Sequence, residues 1–297
     1  MSRQTMQPRA HAPLDALSPR DRRRRITSTI LLGGTGLAAL LTVLPLLLIF
    51  WHLLSAGLSS LNLDFFTNVP APVGESGGGV GNGVLGTFLL VLLAALMGLP
   101  VAIGAGIYLA EAEGGRLPNA IRFITDVMNG IPSIVIGIFV WAWIVVAVGG
   151  FSAFAGGVAL GIMLLPMVTR TTEEMVRLVP RELKEGALAL GFTRWRTTLG
   201  VVLPAARSGI LTGVLVALAR IAGETAPLLF TAFGNPFWSS DLGRPIAALP
   251  VQIFQYAISP YEEQHRQAWA ASLLLIALVL GVSLAARFLI RSPYRSR

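Results

Sequence analysis

Six stretches of the chain are apolar for long enough to cross a bilayer, and polar segments of unequal character separate them. A spanning helix needs about 20 mostly apolar residues. The first stretch, 26–54, holds no Asp, Glu, Lys or Arg. It exceeds the roughly 7–15 residue core of a secretion signal, so it is expected to remain as an uncleaved first span. Pro45 should kink it, and His52 falls near its outer end as an interfacial residue. Further spans are expected over 84–110, 123–148, 154–169, 208–232 and 267–290. In the third, Asn129-Gly130-Ile131-Pro132-Ser133 should loosen the backbone ladder near one membrane face, because proline has no N–H to contribute. Trp141 and Trp143 suit either the far interface or packing positions. Residues 1–25 carry Pro8, Pro13 and Pro19 and close on Arg20, Arg22, Arg23, Arg24 and Arg25, a disordered basic tail by pattern.

Composition agrees with an all-α integral membrane protein. Of 297 residues 54% are apolar and 13% charged, with a mean hydropathy of +0.70; a soluble domain is nearer a quarter charged. The net charge of +8 raises the question of nucleic acid, but the basic residues flank apolar spans rather than forming one soluble face. Twenty of the 23 lysines and arginines fall in the tail, in 111–122, in 170–207 or at the C-terminal end, against two, Arg244 and Arg266, in 55–83 and 233–266. The positive-inside rule then puts both termini in the cytoplasm of a six-helix protein. Its parts are the tail 1–25, the first transmembrane helix 26–54, and a transmembrane domain 84–290 that includes a cytoplasmic loop over 170–207. With no Cys in the chain, disulfides and thiolate chemistry are excluded. The glycine-rich segment 77–83 lacks the Lys-Ser/Thr ending of a nucleotide-binding loop and lies on the outer side, so it reads as a flexible turn. The chain should hydrolyse no ATP and hold no metal or cofactor of its own.

The loop 170–207 is too polar to span yet looks helical. Residues 181–190 are rich in helix formers, Pro180 favours a helix starting at Arg181, and Gly191 suits the left-handed residue that ends many helices. Arg194, Trp195 and Arg196 should open a return helix, with Pro204 at its bend into the fifth span. Glu185-Gly186-Ala187, then Gly191, then Leu203-Pro204 come close to the EAA-x3-G-x9-I-x-LP pattern of permeases of ABC importers. That resemblance implies a type I importer permease fold in which this loop docks a separate ATPase, which binds the ATP and Mg. A surface loop capping the bundle is the alternative, and it leaves the spacing unexplained. Gly186 departs from the usual Ala and should weaken the helix by about 1 kcal/mol.

Arg220 falls about 18 Å into the fifth span at 1.5 Å per residue, near the midplane. Glu224 is one turn on and is expected to pair with it, while Gly223 and Pro227 should break the helix beside the charges. A charge at that depth is either buried in a bundle or part of a solute path. An arginine fork suits phosphate-like oxyanions. Glu224 could hold the arginine at rest, or accept a proton from a protonated phosphate, which sulfate cannot offer. A purely structural ion pair is the competing account. Arg170, at the inner end of the fourth span, is a second path candidate or an ordinary topology arginine.

Beyond the loop, residues 70–290 resemble the phosphate-specific ABC permeases. The resemblance rests on Gly78-Gly79-Val80-Gly81-Asn82-Gly83, on Asn129-Gly130-Ile131-Pro132-Ser133, on Arg220 to Pro227 and on Ala247-Ala248-Leu249-Pro250-Val251-Gln252-Ile253. The last two look more like the PstA-type subunit than its PstC-type partner. The resemblance implies an assembly with a PstC-like permease, two copies of an ATPase and an extracytoplasmic phosphate-binding protein, and a translocation role for Arg220, Arg170 and Glu224. Without it, the residues also fit a permease for another oxyanion or small solute, or a proton-coupled secondary anion transporter with Glu224 as the proton carrier.

Overall fold

The computed structural model describes residues 19–72, 75, 77–112 and 114–289, with side chains as far as residue 284. The tail before Pro19 and the arginines at 291, 295 and 297 lie outside the described residues. The chain divides into two units between His52 and Leu53.

The first unit is the greater part of helix α1, Pro19–Gly57. The helix therefore begins inside the stretch expected to be tail: residues 19–25 are its opening turns. Pro19 fits there because the first turn needs no N–H from it. All residues from Pro19 to His52 are exposed. Thr29, Thr35 and Thr42 each donate their hydroxyl to a carbonyl of the preceding turn, at 2.8–3.0 Å, which keeps polar atoms satisfied on an apolar surface.

The second unit holds the short helix α2 (Leu63–Thr67), α3 (Gly81–Glu111), α4 (Arg116–Gly130), α5 (Ser133–Val148), α6 (Ala153–Arg177), α7 (Arg181–Ala189), α8 (Arg194–Ile221), α9 (Ala226–Thr231), α10 (Leu249–Ala257) and α11 (Glu262–Leu289). Among the described residues, five helices are long and apolar enough to cross a membrane, α1, α3, α6, α8 and α11, and six if α4 and α5 form one span. That pair is the first correction to the expected spans. A 103° bend separates α4 from α5, a full break where only a loosened ladder was expected. Ile131 and Pro132 are both extended (ψ 128° and 136°), as the residue before a proline tends to be.

The core is the seam between α3 and α6. The buried positions of α3 run Gly86, Leu90, Ala94, Gly98, Ala102 and Gly106, a four-residue repeat that places small residues along one stripe. Opposite them α6 buries Gly157, Gly161, Leu164, Val168, Thr172 and Val176. A Cβ on Gly106 would lie 2.6 Å from the Thr172 Cβ and 2.7 Å from the Thr169 carbonyl oxygen. The two backbones can approach this closely only because the side chains are missing, the usual basis of helix association in lipid. α6 also runs to Arg177, two turns past the expected end of the fourth span.

Candidate functional site

The knob between α6 and α8 is built as its residues dictate. Pro180 is extended and opens α7 at Arg181. The far end closes on Gly191 at φ 85°, with the Gly191 N–H donating to the Leu188 carbonyl (3.0 Å) and the Phe192 N–H to the Ala187 carbonyl (3.2 Å). This pair of bonds satisfies carbonyls that a helix end leaves open, and glycine adopts the left-handed residue without Cβ strain. Ala187 is buried, whereas Glu185 and Gly186 are exposed. Nothing lies within 4 Å of a Cβ placed on Gly186, so the departure from Ala has no packing cause. Around the knob Leu190 is 81% and Trp195 62% exposed, with Leu183, Leu188 and Phe192 also open.

The return helix differs from expectation. Pro204 marks no boundary: Arg194–Ile221 is one span of 28 residues. A turn of π-helix over Thr198–Val202 precedes Leu203 and Pro204, so the proline sits near the start of the following α-helical segment. There its missing N–H is tolerated. Leu203 is half-buried and Pro204 exposed.

The fifth span also ends sooner, at Ile221 rather than 232. The Gly223 N–H bonds the Arg220 carbonyl (3.1 Å) and the Glu224 N–H the Ile221 carbonyl (3.2 Å), tight turns that close α8 before α9 begins. Pro227 lies in the first turn of α9. A continuous helix would have left the Gly223 carbonyl without its donor. Glu224 is consequently off the helix, the one-turn spacing from Arg220 is lost, and no ion pair joins them among the described residues. Arg220 is exposed in the last turn of α8, where the negative end of the helix dipole favours a cation. On α8 it continues the stripe of Val216, Gly213 and Gly209. Those three, with Met167, Thr171 and Met175 of α6, line a groove of about 480 Å³. Thr171 lies against Gly213, and Met175 against Gly209. Arg170, the chain neighbour of Thr171, pairs with Glu174 at 2.9 Å on the exposed surface.

Two features went unforeseen. Glu173, 2% exposed, accepts from Arg122 Nε at 2.8 Å and pairs with Arg177 Nη2 at 2.8 Å. Away from the knob, a cavity of about 600 Å³ is lined by Asn82, Asn235, Gln252, Gln255 and Gln264. Asn82 donates to the Asn235 carbonyl at 2.8 Å, and burial raises the pKa of Tyr256 at the cavity wall, with its hydrogen bond to Gln252 opposing the shift. Among the described residues, the Asn82 and Gln252 side-chain oxygens are buried without a partner. The sequence signal was faint: Glu173 and Glu174 after an apolar run with Arg177 one turn on, and scattered amides.

Comparison with known proteins places this geometry. Residues 102–292 match the family of binding-protein-dependent transport system inner membrane components. The chain is 46% identical over 271 residues to the phosphate transport system permease protein PstA of Xylella fastidiosa (strain Temecula1), covering 91% of this chain and 94% of that one. It is 47% identical to the Yersinia pestis protein of the same name, covering 82% of each. Among solved structures, a bacterial alginate ABC transporter in complex with a pentasaccharide-bound periplasmic protein aligns over 90% of this chain and 96% of its own, with a TM-score of 0.65 at 15% identity. The MetNI methionine ABC transporter, in an inward-facing conformation, aligns over 71% and 93% with a TM-score of 0.56 at 21% identity. The long helices, the knob between α6 and α8 and these likenesses lead to one conclusion: the chain belongs to the binding-protein-dependent transport system inner membrane components, within the PstA phosphate permeases.

Proposed function

We propose that this chain forms half of the translocation path of an ATP-driven phosphate importer, with Arg220 as the cation the anion passes. A single observation carries the reading. One uninterrupted helix joins the docking knob to Arg220, from Arg194 to Ile221, about 39 Å between Arg194 and Arg220 at 1.5 Å per residue. The open apolar side chains Leu190, Phe192 and Trp195 give a partner ATPase a surface to grip, and its closure then displaces the whole rod. The partners are a PstC-like permease that completes the groove, two ATPase subunits that bind ATP and Mg, and an extracytoplasmic phosphate-binding protein. Both termini face the cytoplasm. Glu185, Gly186, Ala187, Gly191, Leu203 and Pro204 form and position the dock, and Gly223 with Pro227 ends the rod beside the charge.

Glu224 does not clamp Arg220 at rest. Its role is to accept a hydrogen bond from the P–OH of a monohydrogen or dihydrogen phosphate held by the Arg220 fork. Arg170, engaged by Glu174, receives the anion on the inner side. The test is uptake by proteoliposomes containing the co-purified complex and its binding protein. Phosphate should enter only with ATP, and excess sulfate or molybdate should not compete. Uptake that persists without ATP while a proton gradient is held would overturn the reading.

A further inference from the structure

The buried carboxylate of Glu173 sits where α3, α4 and α6 meet. Leu109 is in the last turn of α3, where backbone carbonyls lack intrahelical donors. Its carbonyl accepts from Arg122 Nη2 at 2.7 Å and from Arg177 Nη2 at 3.4 Å. The same guanidiniums hold Glu173 Oε1 at 2.8 Å each, and Arg122 also donates to Asn119 Oδ1 at 3.2 Å. Two residues beyond Leu109, Glu111 pairs with Lys184 of α7 at 2.7 Å. The Glu111–Lys184 pair and the Leu109 carbonyl, two residues apart on the α3 backbone, thus connect the docking helix α7 through the end of α3 to α4 and α6. Burial makes the Glu173 bonds strong and their loss costly, since a buried charge stripped of its partner has no water to turn to. Arginine forks reach a carboxylate and a carbonyl together, which a lysine cannot do with the same geometry.

We propose that Glu173, Arg122 and Arg177 are positioning residues of coupling: they lock α4 and α6 to the end of α3, which the Glu111–Lys184 pair ties to the docking helix, so that a displacement of the knob moves these helices as one body. The inference rests on the ATP-driven reading above and adds a route for its motion that α8 does not supply. Without the lock the ATPase still docks and still cycles, but part of each stroke is lost between α7 and α4.

The test uses the whole complex in proteoliposomes. Glu173→Gln should retain ATPase activity while phosphate moved per ATP falls roughly tenfold, the order expected of coupling free energies. Because Glu173→Gln removes a buried charge and could impair folding, Glu111→Gln, on the half-exposed end of the same connection, provides a second variant with the same direction and a smaller loss. The absence of cysteine allows spin labels at Leu183→Cys in α7 and Leu117→Cys in α4, both exposed positions. Trapping the ATP-bound state should change their separation by less than about 2 Å in the otherwise unaltered complex, and by about 5 Å in Glu173→Gln, the scales of a packed shift and of a one-turn slip. The inference is overturned if uptake and ATPase activity fall in proportion, if neither changes, or if the separation already shifts by about 5 Å with Glu173 intact. The label separation needs no transported solute, so it scores this inference even if the anion proves not to be phosphate.

Discussion

Arg220 is a cation in the last turn of an apolar helix, without an ion-pair partner among the described residues. A guanidinium left so is poised for an anion that brings its own oxygens. In the proposed path, Glu224 sorts anions by whether they carry a hydroxyl hydrogen to donate to its carboxylate. Glu224→Gln is expected to raise sulfate competition against phosphate uptake by about tenfold, the worth of one hydrogen bond to a charged group; competition assays in proteoliposomes check it, and an unchanged preference rejects the hydrogen-bond-acceptor role. Two glycines make opposite predictions. Gly106→Val drives a side chain into the Thr172 Cβ and a backbone carbonyl, and should lower stability by about 1–3 kcal/mol, the usual cost of overpacking. Gly186→Ala meets nothing within 4 Å and should raise stability by up to about 1 kcal/mol while docking persists. Thermal unfolding of the purified chain in detergent measures both.

At the scale of elements, the knob was the most legible part of the chain. Pro180, Gly191 and the helix formers between them act through local backbone preference, and the structure follows them residue by residue. Local rules served less well where a proline could be met in more than one way. Pro204 suggested a bend, but a π-helical turn absorbs it and α8 continues; Pro132 suggested a loosened span, and a 103° bend replaces it. The ion pair expected of Arg220 and Glu224 assumed a helix that Pro227 ends early. Glu173 was legible only in part: Arg177 stands one helical turn away, but Arg122 is 51 residues away and only the packing of α4 against α6 brings it in. The small-residue repeat from Gly86 to Gly106 was visible in principle, as a four-residue period within a uniformly apolar run. The unbroken form of α8 carries a prediction of its own. Leu211→Pro removes a ladder bond in its middle, at a cost of about 3 kcal/mol, and should abolish uptake while the ATPase still co-purifies with the chain. Wild-type uptake in that variant would show that the rod need not be continuous.

At the scale of the second unit, the proposed function makes α8 a lever resting on one seam. An amide-lined cavity stands among residues of α3, α10 and the α9–α10 connection; the knob before α8 leaves Leu190 and Trp195 exposed. The α3–α6 seam gives α8 a firm surface, and the stripe of Gly209, Gly213 and Val216 that lines the groove beside it continues on the same helix face to Arg220. A second permease facing that groove would enclose the cation and turn an exposed arginine into a shielded one, where its interaction with an anion strengthens as water is excluded. The most direct measurement is ATP-driven phosphate uptake by proteoliposomes carrying the intact complex or its Arg220→Gln form, with ATPase activity followed in the same vesicles. Loss of one charge-assisted contact should cut uptake by about 10–100-fold while ATP hydrolysis continues. Uptake at the unaltered rate with Gln at position 220 would contradict the account.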